Sequence, residues 1–499
     1  MANAINIEAA LLDSTDETIS VSPRIVVRRS GAATHIYIFF ISSAGDLSYR
    51  KSTNGGTSFA TAQTIDTGED WATVAVWYDR WTPGDTTGNL IHIAATSTTN
   101  DKLVYFSLDA SSDTAGTNND VDIDTWTDIS PAPDGCVSIC KGANGHLYAG
   151  CIGGTGPVGL QVGRSQDSGA TWSDISSPAS GTDIQAEYND DLDVIRLHPL
   201  KTDNDIILVA IDASAAQLES TVFDAVGGTW GTVTTVEAGP DAVSFVNEMF
   251  GMALDKSTGD QFMVYKDGQF NSHTTGANYF FTKFSDATRT WSVNVTITDN
   301  DTTNGAIMFD ARGGFSLCRD ETNGILLMVY GASNDGDNLM YNMRLSSDDG
   351  QTWGDKVLVN GRFADDYRGV SIPPVMNDTA EGWYFIWYND DGDDIEGLNG
   401  ALEYKTFSGV TYDNDGTTPV SGVDVHVFRS GYYPRANMQG SSDIFQGRAV
   451  SDGSGNYKIG VLGNLNDDTE SETYYATGYK QGATDADDEA GTSREDSSD

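Results

Sequence analysis

The stretch Ser165-Gln-Asp-Ser-Gly-Ala-Thr-Trp172 returns as Ser346-Ser-Asp-Asp-Gly-Gln-Thr-Trp353, and a looser copy stands at Ser52-Thr-Asn-Gly-Gly-Thr-Ser-Phe59. Eroded copies end at Trp126, Trp230 and Trp291. In a turn of this composition the Asp or Asn side chain caps backbone N–H groups, Gly adopts a positive φ, and the final ring packs against a neighbouring sheet. The sequence therefore predicts one repeated hairpin, whose structural residues are Ser52, Asn54, Gly56, Phe59, Ser165, Asp167, Gly169, Trp172, Ser346, Asp348, Gly350 and Trp353.

The final aromatic residues of these copies are 46 to 67 residues apart, and each interval holds four strand-like runs. A repeat of this length is typical of sheets arranged in a ring or an array. After Trp353 three runs remain, at Val370–Ile372, Trp383–Trp387 and Ala401–Lys405. We expect Ile5–Leu12 to supply the fourth strand of that sheet, which joins the two ends of the ring and leaves no exposed edge.

The repeated phrase resembles the Asp-box of sialidase-like β-propellers. The resemblance implies an all-β fold, with a seven-bladed β-propeller over residues 1–407 whose N-terminal strand closes the last blade. This number departs from the six blades of true sialidases. In that family the Asp-box lies on the hairpins opposite the ligand face, so it indicates the fold and not the activity.

Residues 408–483 follow a different pattern. Gly409 to Phe428 ends in alternating valines, Ala449 to Ile459 contains a Ser-Asp-Gly-Ser-Gly-Asn-Tyr turn, and Tyr474 to Tyr479 follows. This pattern resembles the small carboxypeptidase-regulatory-like, transthyretin-type β-sandwich, which implies a mounting or spacer domain. We expect residues 484–499, which are acidic and contain Ser and Gly, to form a tail that is flexible or ordered by a partner.

The charge of the chain excludes several classes of function. There are 73 Asp+Glu against 28 Lys+Arg, and the formal net charge is −45. Phosphate backbones and anionic headgroups would repel such a chain, so we expect neither nucleic-acid binding nor membrane insertion. An apolar content of 38%, with 10 Trp, 21 Tyr and 19 Phe, indicates a folded core. The acidic surface is typical of proteins that stay soluble in molar salt, and a calcium-rich extracellular setting is the alternative.

The four cysteines are too few for a disulfide scaffold and lack the spacing of a zinc site. If Gly142 to Gly145 closes a four-residue hairpin, Cys136 and Cys151 face each other across it and are placed to form a disulfide. A two-residue Asn-Gly turn would shift that register.

The resemblance to sialidases also implies a catalytic set: three arginines for a substrate carboxylate, a tyrosine nucleophile assisted by a glutamate, and an aspartate acid/base. Arg24, Arg196 and Arg368 are the candidates for the three arginines. Arg24 is followed by Ile-Val where the family has Ile-Pro, and no Tyr/Glu pair is apparent. We therefore expect no enzymatic activity, and a sialidase-like exo-glycosidase is the alternative.

The loops expected at the ligand face are acidic and contain aromatic residues. Carboxylates repel anionic sugars, so the face suits neutral glycans, cationic groups or ligands bridged by a divalent cation. Neutral glycans can stack their CH groups on rings and donate hydroxyl protons to Asp. The alternative is that these rings only pack the loops against the blades. The candidate ligand-binding residues are Trp71, Tyr188, Phe270, His273, Tyr367 and Tyr388.

Two Asp-rich segments offer closely spaced oxygen ligands for a hard cation, which makes Ca²⁺ the candidate cofactor. Neither segment fits the EF-hand pattern, and solvated Asp-Gly turns are the alternative. The candidate ligands are Asp390, Asp391, Asp393, Asp394, Asp413 and Asp415.

These features favour a non-catalytic virion or surface-display protein that binds a host-surface glycan, glycoprotein or other protein through the propeller face. Because the start, Met1-Ala-Asn-Ala, lacks the regions of a signal peptide, we expect synthesis in the host cytoplasm and display at a virion surface. The combination resembles a turret, spike or tail fibre of a tailed virus with a halophilic host. Other virion proteins, held through the C-terminal domain, and further copies in a homo-oligomer are the expected partners. A pure assembly scaffold without a ligand is the remaining alternative.

Overall fold

In the computed structural model, most of the described residues lie in β-strands. The described residues are 5–8, 25–29, 34–97, 99, 102–116, 121–125, 137–153, 159–188, 194–212, 214–215, 217–238, 250–267, 278–297, 315–333, 339–354, 357–358, 367–377, 383–389, 394–398, 404–413, 417–429, 444–462, 473–480 and 489–496. Their helices are short: Asp79–Trp81, Ile184–Glu187 and Thr202–Asn204. None of these is long and apolar enough to cross a membrane.

Seven sheets of four or five strands precede residue 399 in the described part of the chain. Sheet 1 contains Val26–Arg28, Ile36–Ile41, Leu47–Ser52 and Gln63–Asp66. Sheet 2 contains Trp71–Tyr78, Leu90–Ser97, Lys102–Asp109, Thr114–Ala115 and Val121–Thr125. Sheet 3 contains Val137–Lys141, Leu147–Gly153, Gly159–Ser165 and Ser173–Asp174. Sheet 4 contains Val194–Pro199, Ile206–Asp212, Gln217–Asp224, Thr229–Trp230 and Thr234–Ala238.

The next three sheets repeat this arrangement. Sheet 5 contains Phe250–Leu254, Gln261–Asp267, Asn278–Ser285, Thr290–Trp291 and Val295–Ile297. Sheet 6 contains Phe315–Asp320, Ile325–Ser333, Leu339–Ser346, Val357–Leu358 and, paired in parallel with the first of these, Val375–Met376. Sheet 7 contains Tyr367–Ser371, Phe385–Asn389, Asp394–Leu398 and Ile5–Glu8. The number of blades stays a prediction.

The two ends of the ring meet in sheet 7. Ile5–Glu8 pairs antiparallel with Asp394–Leu398, which confirms the predicted closure by the N-terminal strand. A second link joins sheets 1 and 7, since the backbone N–H of Ile25 donates to Ser371 Oγ at 3.2 Å. The third strand of sheet 7 was expected at Ala401–Lys405. That prediction is wrong, because Asp394–Leu398 takes this place.

The repeated hairpins have the predicted Asp-box geometry. In the copy that begins at Ser165, the backbone N–H of Gly169 donates to Ser165 Oγ at 2.8 Å, and that of Thr171 donates to Asp167 Oδ1 at 2.8 Å. The ring N–H of Trp172 donates to the Gly169 carbonyl at 3.2 Å. The copies at Ser346 and Ser52 share the serine and Asp/Asn contacts, and the central glycines have φ of 88, 92 and 84° at Gly56, Gly169 and Gly350.

The C-terminal residues form two further sheets. Sheet 8 contains Tyr404–Val410 and Asn456–Leu462, and sheet 9 contains Asp424–Arg429, Ile444–Val450, Thr473–Lys480 and Glu489–Asp496. Val425, Val427, Ala449 and Ile459 form a small shared core, as the predicted β-sandwich requires. The first strand of sheet 8 crosses the predicted boundary at residues 407/408. The flexible tail predicted for 484–499 is wrong at residues 489–496, which pair along their length with Thr473–Lys480.

The C-terminal sheets contact sheet 6 at its Asp-box end. The backbone N–H of Gly460 donates to Ser347 Oγ at 2.8 Å, and Lys458 Nζ donates to Asn323 Oδ1. Both propeller-side residues lie in turns at the end of sheet 6 that carries its Asp-box. The C-terminal module is therefore attached at that end of the ring.

The hairpin of Val137–Lys141 and Leu147–Gly153, on which the predicted disulfide depends, has a different register from the expected one. Val137 lies opposite Cys151, and Lys141 lies opposite Leu147, so residues 142–146 form a five-residue turn. The expectation that Cys136 faces Cys151 is therefore wrong by one residue. Cys136 itself lies outside the described residues.

Candidate functional site

The candidate site lies at the end of the ring where the first strand of each sheet begins. The Asp-box turns follow the third strand, so they lie at the opposite end. We call the first end the loop face; it comprises the described residues within 42–46, 66–71, 97–102, 184–188, 212–219, 237–238, 367–368 and 388–394. The structure brings four predicted ligand-binding residues to this face: Trp71, Tyr188, Tyr367 and Tyr388. Phe270 and His273 lie outside the described residues.

Three of these aromatic rings are buried. The exposed fractions are 3% for Trp71 and 0% for both Tyr188 and Tyr388. Trp71 donates its ring N–H to Asp66 Oδ1 at 3.2 Å and packs edge-on against Phe106, with 5.3 Å between ring centroids. A buried ring offers no face to a sugar, so the expectation that these three stack on a ligand is wrong. For Tyr367, whose side chain lies outside the description, it stays a prediction.

The arginine set implied by the sialidase resemblance is only partly described. Arg196, on the first strand of sheet 4, is 3% exposed, and its guanidinium lies 5.5 Å from the ring centroid of Phe250 in sheet 5. It also donates to the carbonyl of Ile195 at 2.7 Å. Arg368 lies on a described strand without a described side chain, and Arg24 lies outside the described residues. Arg196 therefore packs sheet 4 against sheet 5.

Three carboxylates that the sequence analysis did not single out meet at the loop face. Each of Glu187, Asp212 and Glu219 offers an oxygen atom within 4.8 Å of the others. Glu187 ends the helix Ile184–Glu187, which is capped where the N–H of Ala186 donates to Asp183 Oδ1 at 3.3 Å. Asp212 and Glu219 lie on the two strands of one hairpin in sheet 4.

The local structure gives each member of this cluster a different environment. Asp212 and Glu219 are both 5% exposed, whereas Glu187 is exposed. Asp212 Oδ1 accepts from Ser214 Oγ and from the N–H of Ala215, both at 2.8 Å. Burial, and then the charges of Asp212 and Glu187, raise the pKa of Glu219 to about 7, although Tyr188 acts in the opposite direction. The cluster is thus a set of acceptors, two of which are buried from solvent.

The loop face is acidic as a whole. Its described bases are Lys102, whose Nζ lies 3.7 Å from Glu69 Oε1, and Arg368. At the Asp-box end, bases pair with acids, as in Lys51–Asp113 at 2.6 Å and Arg319–Asp255 at 2.9 Å. The acidic residues described on the loop face are Asp46, Asp66, Glu69, Asp70, Glu187, Asp212, Glu219, Glu237 and Asp394.

A segment of sheet 2 crosses the Asp-box end of the ring. Asp85, which follows the first strand of sheet 2, accepts at its carboxylate from Lys141 Nζ of sheet 3 at 3.0 Å. Its carbonyl accepts from Lys256 Nζ, after the first strand of sheet 5, at 3.1 Å, and Lys256 also donates to Asn377 Oδ1 at 2.6 Å. Because sheets 2 and 5 are not neighbours, this segment joins sheets across the Asp-box end of the ring.

Most residues of the two segments predicted to bind metal lie outside the described residues. Asp394 begins a strand without a described side chain, and Asp413 is exposed. The other four candidate ligands, Asp390, Asp391, Asp393 and Asp415, are not described. A metal site in these segments stays a prediction.

Comparison with known proteins identifies the fold. No protein-family model and no curated protein matches the sequence. A lectin from Burkholderia pseudomallei is similar in structure, with 12% identity and a TM-score of 0.50 over 79% of this chain and 99% of the lectin. The fold is a β-propeller.

Two further solved structures have lower TM-scores. An ulvan lyase, a polysaccharide lyase, has 13% identity and a TM-score of 0.46 over 80% of this chain and 94% of the lyase. A leech intramolecular trans-sialidase has 12% identity and a TM-score of 0.41 over 80% of this chain and 70% of that enzyme. At such identities the similarity concerns the fold of the propeller and not its chemistry.

Proposed function

We propose that the protein binds neutral glycans at the loop face of the propeller without cleaving them. The observation that carries this proposal is the charge of the loop face, where described carboxylates far outnumber described bases. Hydroxyl groups of neutral sugars donate to carboxylates, whereas sialic and uronic acids would be repelled. The structurally similar lectin, by its name a sugar-binding protein, supports the class of ligand.

A sialidase-like glycosidase is the second candidate, and one contact favours it. Tyr188 interacts with the carboxylate of Glu219 and lowers its pKa, which makes the two residues the kind of Tyr/Glu pair that the sequence does not reveal. Against it, Arg196 points its guanidinium at Phe250 in the next sheet, while Glu219 lies on the other face of the same sheet. Among the described side chains, a substrate carboxylate at this cluster would therefore meet acids, because Arg196 faces away from it.

Display on a virion or another surface, outside the cell, is the setting we propose for this binding. The support is positional: the C-terminal module contacts sheet 6 at the Asp-box end, through Ser347 and Asn323, and the loop face is at the other end. A module attached there can hold the propeller with its loop face outward. Partner virion proteins and self-association into an oligomer belong to the same proposal.

Affinity electrophoresis tests sugar binding. The full chain is run through gels that contain neutral, uronic-acid or sulfated polysaccharides, and the free sugar released by the protein is assayed in parallel. We expect retardation by a neutral polysaccharide and no release. Asp70→Asn with Glu187→Gln should weaken the retardation, while Asp203→Asn, which removes an exposed charge at the Asp-box end, should not. Sugar release, or retardation by anionic polymers alone, would contradict the proposal.

A further inference from the structure

The loop face between sheets 3 and 4 holds a cluster of carboxylates that no described base balances by an ion pair. Glu187, Asp212 and Glu219 bring three carboxylate oxygens within 4.8 Å of one another, and two of the three residues are 5% exposed. Like charges this close in a poorly solvated site repel strongly unless a proton or a cation is bound between them.

A second observation concerns a single atom. Glu219 Oε2 is fully buried and accepts no hydrogen bond within the described part of the chain. Buried carboxylate oxygens are normally satisfied by donors or by metal ions, because an unsatisfied one costs free energy. Asp212 differs, because its Oδ1 already accepts two hydrogen bonds that order the turn after it.

We infer that Glu187, Asp212 and Glu219 form a binding site for a hard divalent cation, with Ca²⁺ as the ion that fits. Calcium takes oxygen ligands at about 2.3–2.6 Å, so two ligand oxygens around one ion lie at most about 5 Å apart. The three carboxylate oxygens, which lie within 4.8 Å of one another, satisfy this condition. Zinc and copper prefer the nitrogen and sulfur ligands that the cluster does not contain.

The bound ion would connect two parts of the loop face. Glu187 belongs to the helix that packs on sheet 3, where Leu160 N–H donates to the Tyr188 carbonyl at 2.8 Å. Asp212 and Glu219 belong to one hairpin of sheet 4. A shared cation fixes that helix against the hairpin and reduces the net charge of the cluster. This inference rests on the cluster alone and does not depend on sugar binding.

Calorimetric titration of the metal-stripped full chain with CaCl2 in 0.5 M KCl tests the site, because salt at this concentration weakens diffuse binding to surface acids. We expect one site with a Kd of about 10⁻⁵ to 10⁻³ M. Glu219→Gln and Asp212→Asn should each weaken that site at least tenfold. Two matched controls should retain it: Glu237→Gln, another loop-face acid, and Asp413→Asn, in a segment predicted to bind metal.

Thermal unfolding separates loss of the site from loss of the fold. Without metal, Glu219→Gln should unfold at the same temperature as the parent or higher, because it removes a buried charge. Addition of 5 mM CaCl2 should raise the unfolding temperature of the parent by several degrees and leave that of the variant unchanged. The inference is overturned if Glu219→Gln binds Ca²⁺ as the parent does, if the controls lose the site as well, or if MgCl2 and NaCl shift the parent as much as CaCl2.

Discussion

Glu219 couples the stability of the propeller to pH at the scale of a single residue. Burial first, then Asp212 and Glu187, raise its pKa from 4.5 to about 7. Between these pH values the folded state holds a proton that the unfolded state has released, so stability falls as the pH rises through this range. We predict a loss of about 1 to 2 kcal/mol between pH 5 and 8 in metal-free buffer, after allowance for solvent screening. Denaturant unfolding at a series of pH values measures it.

The control for this prediction is a second glutamate. Burial, and then the charge of Asp255, raise the pKa of Glu321 to about 7 as well, at the opposite end of the ring. Glu219→Gln and Glu321→Gln should each remove a separate part of the pH dependence of the unfolding free energy. Added Ca²⁺ should remove only the part that is due to Glu219. An unchanged pH profile in Glu219→Gln would contradict the assignment.

Glycine at the centre of the Asp-box is required by space as well as by conformation. A Cβ on Gly350 would lie 2.1 Å from the ring of Phe281 in the preceding sheet, and its φ is 84°. Gly145, with φ of 85°, has nothing within 4 Å of the same position. We predict that Gly145→Ala costs about 1 kcal/mol, for backbone strain, and Gly350→Ala about 2 kcal/mol or more beyond that. Equal losses of unfolding free energy would show that the ring contact does not matter.

At the scale of the element, the strand Ile5–Glu8 completes sheet 7. Ile7 is 1% exposed, and the strand covers the edge of Asp394–Leu398. Ile7→Asp would bury an unpaired charge, so we predict a loss of about 3 kcal/mol or more and aggregation through the uncovered edge. Val226→Asp, at a position that is 86% exposed, should cost little. Calorimetric unfolding and light scattering compare the two, and equal stability would mean that the strand does not close the ring.

Elements that depend on neighbouring residues were predictable from the sequence. The Asp-box turns form from hydrogen bonds within eight residues, so their roles follow from local composition. The closing strand was predictable because the last sheet would otherwise have only three strands and an uncovered edge. By contrast, the turn at 142–146 is one residue longer than expected, and that single residue shifts the pairing of Cys151. Composition does not determine such a shift.

The candidate site was far less predictable than the fold. Glu187 and Glu219 are 32 positions apart in sequence and meet only because one sheet packs on the next. The aromatic residues Trp71, Tyr188 and Tyr388 have the composition of a sugar-binding surface, yet tertiary packing buries all three. The local signal for the site was the position of Glu219 within the mostly buried strand Gln217–Asp224. A glutamate is rarely buried unless it is paired.

At the scale of the whole molecule, Lys256 ties together sheets that are not neighbours. It donates to the Asp85 carbonyl and to Asn377 across the Asp-box end of the ring. Lys256→Met keeps most of the apolar side chain and removes both hydrogen bonds, so we predict a loss of about 1 to 3 kcal/mol. Hydrogen exchange should accelerate in residues 82–89. Unchanged exchange there would show that the segment is held by other contacts.

The net charge of −45 and the acidic loop face together predict how salt affects ligand binding. Repulsion between the propeller and an anionic polymer is long-ranged and screened by salt, whereas hydrogen bonds to neutral hydroxyls are not. The affinity for a neutral polysaccharide should therefore differ by no more than about twofold between 0.1 and 1 M KCl. In 0.1 M KCl the carboxymethylated form of the same polymer should bind at least about tenfold more weakly than the neutral form. In 1 M KCl this difference in affinity should be smaller. Asp70→Asn with Glu187→Gln should reduce this discrimination. Tighter binding of the anionic form at low salt would instead mean that arginines reach the ligand, as the glycosidase alternative requires.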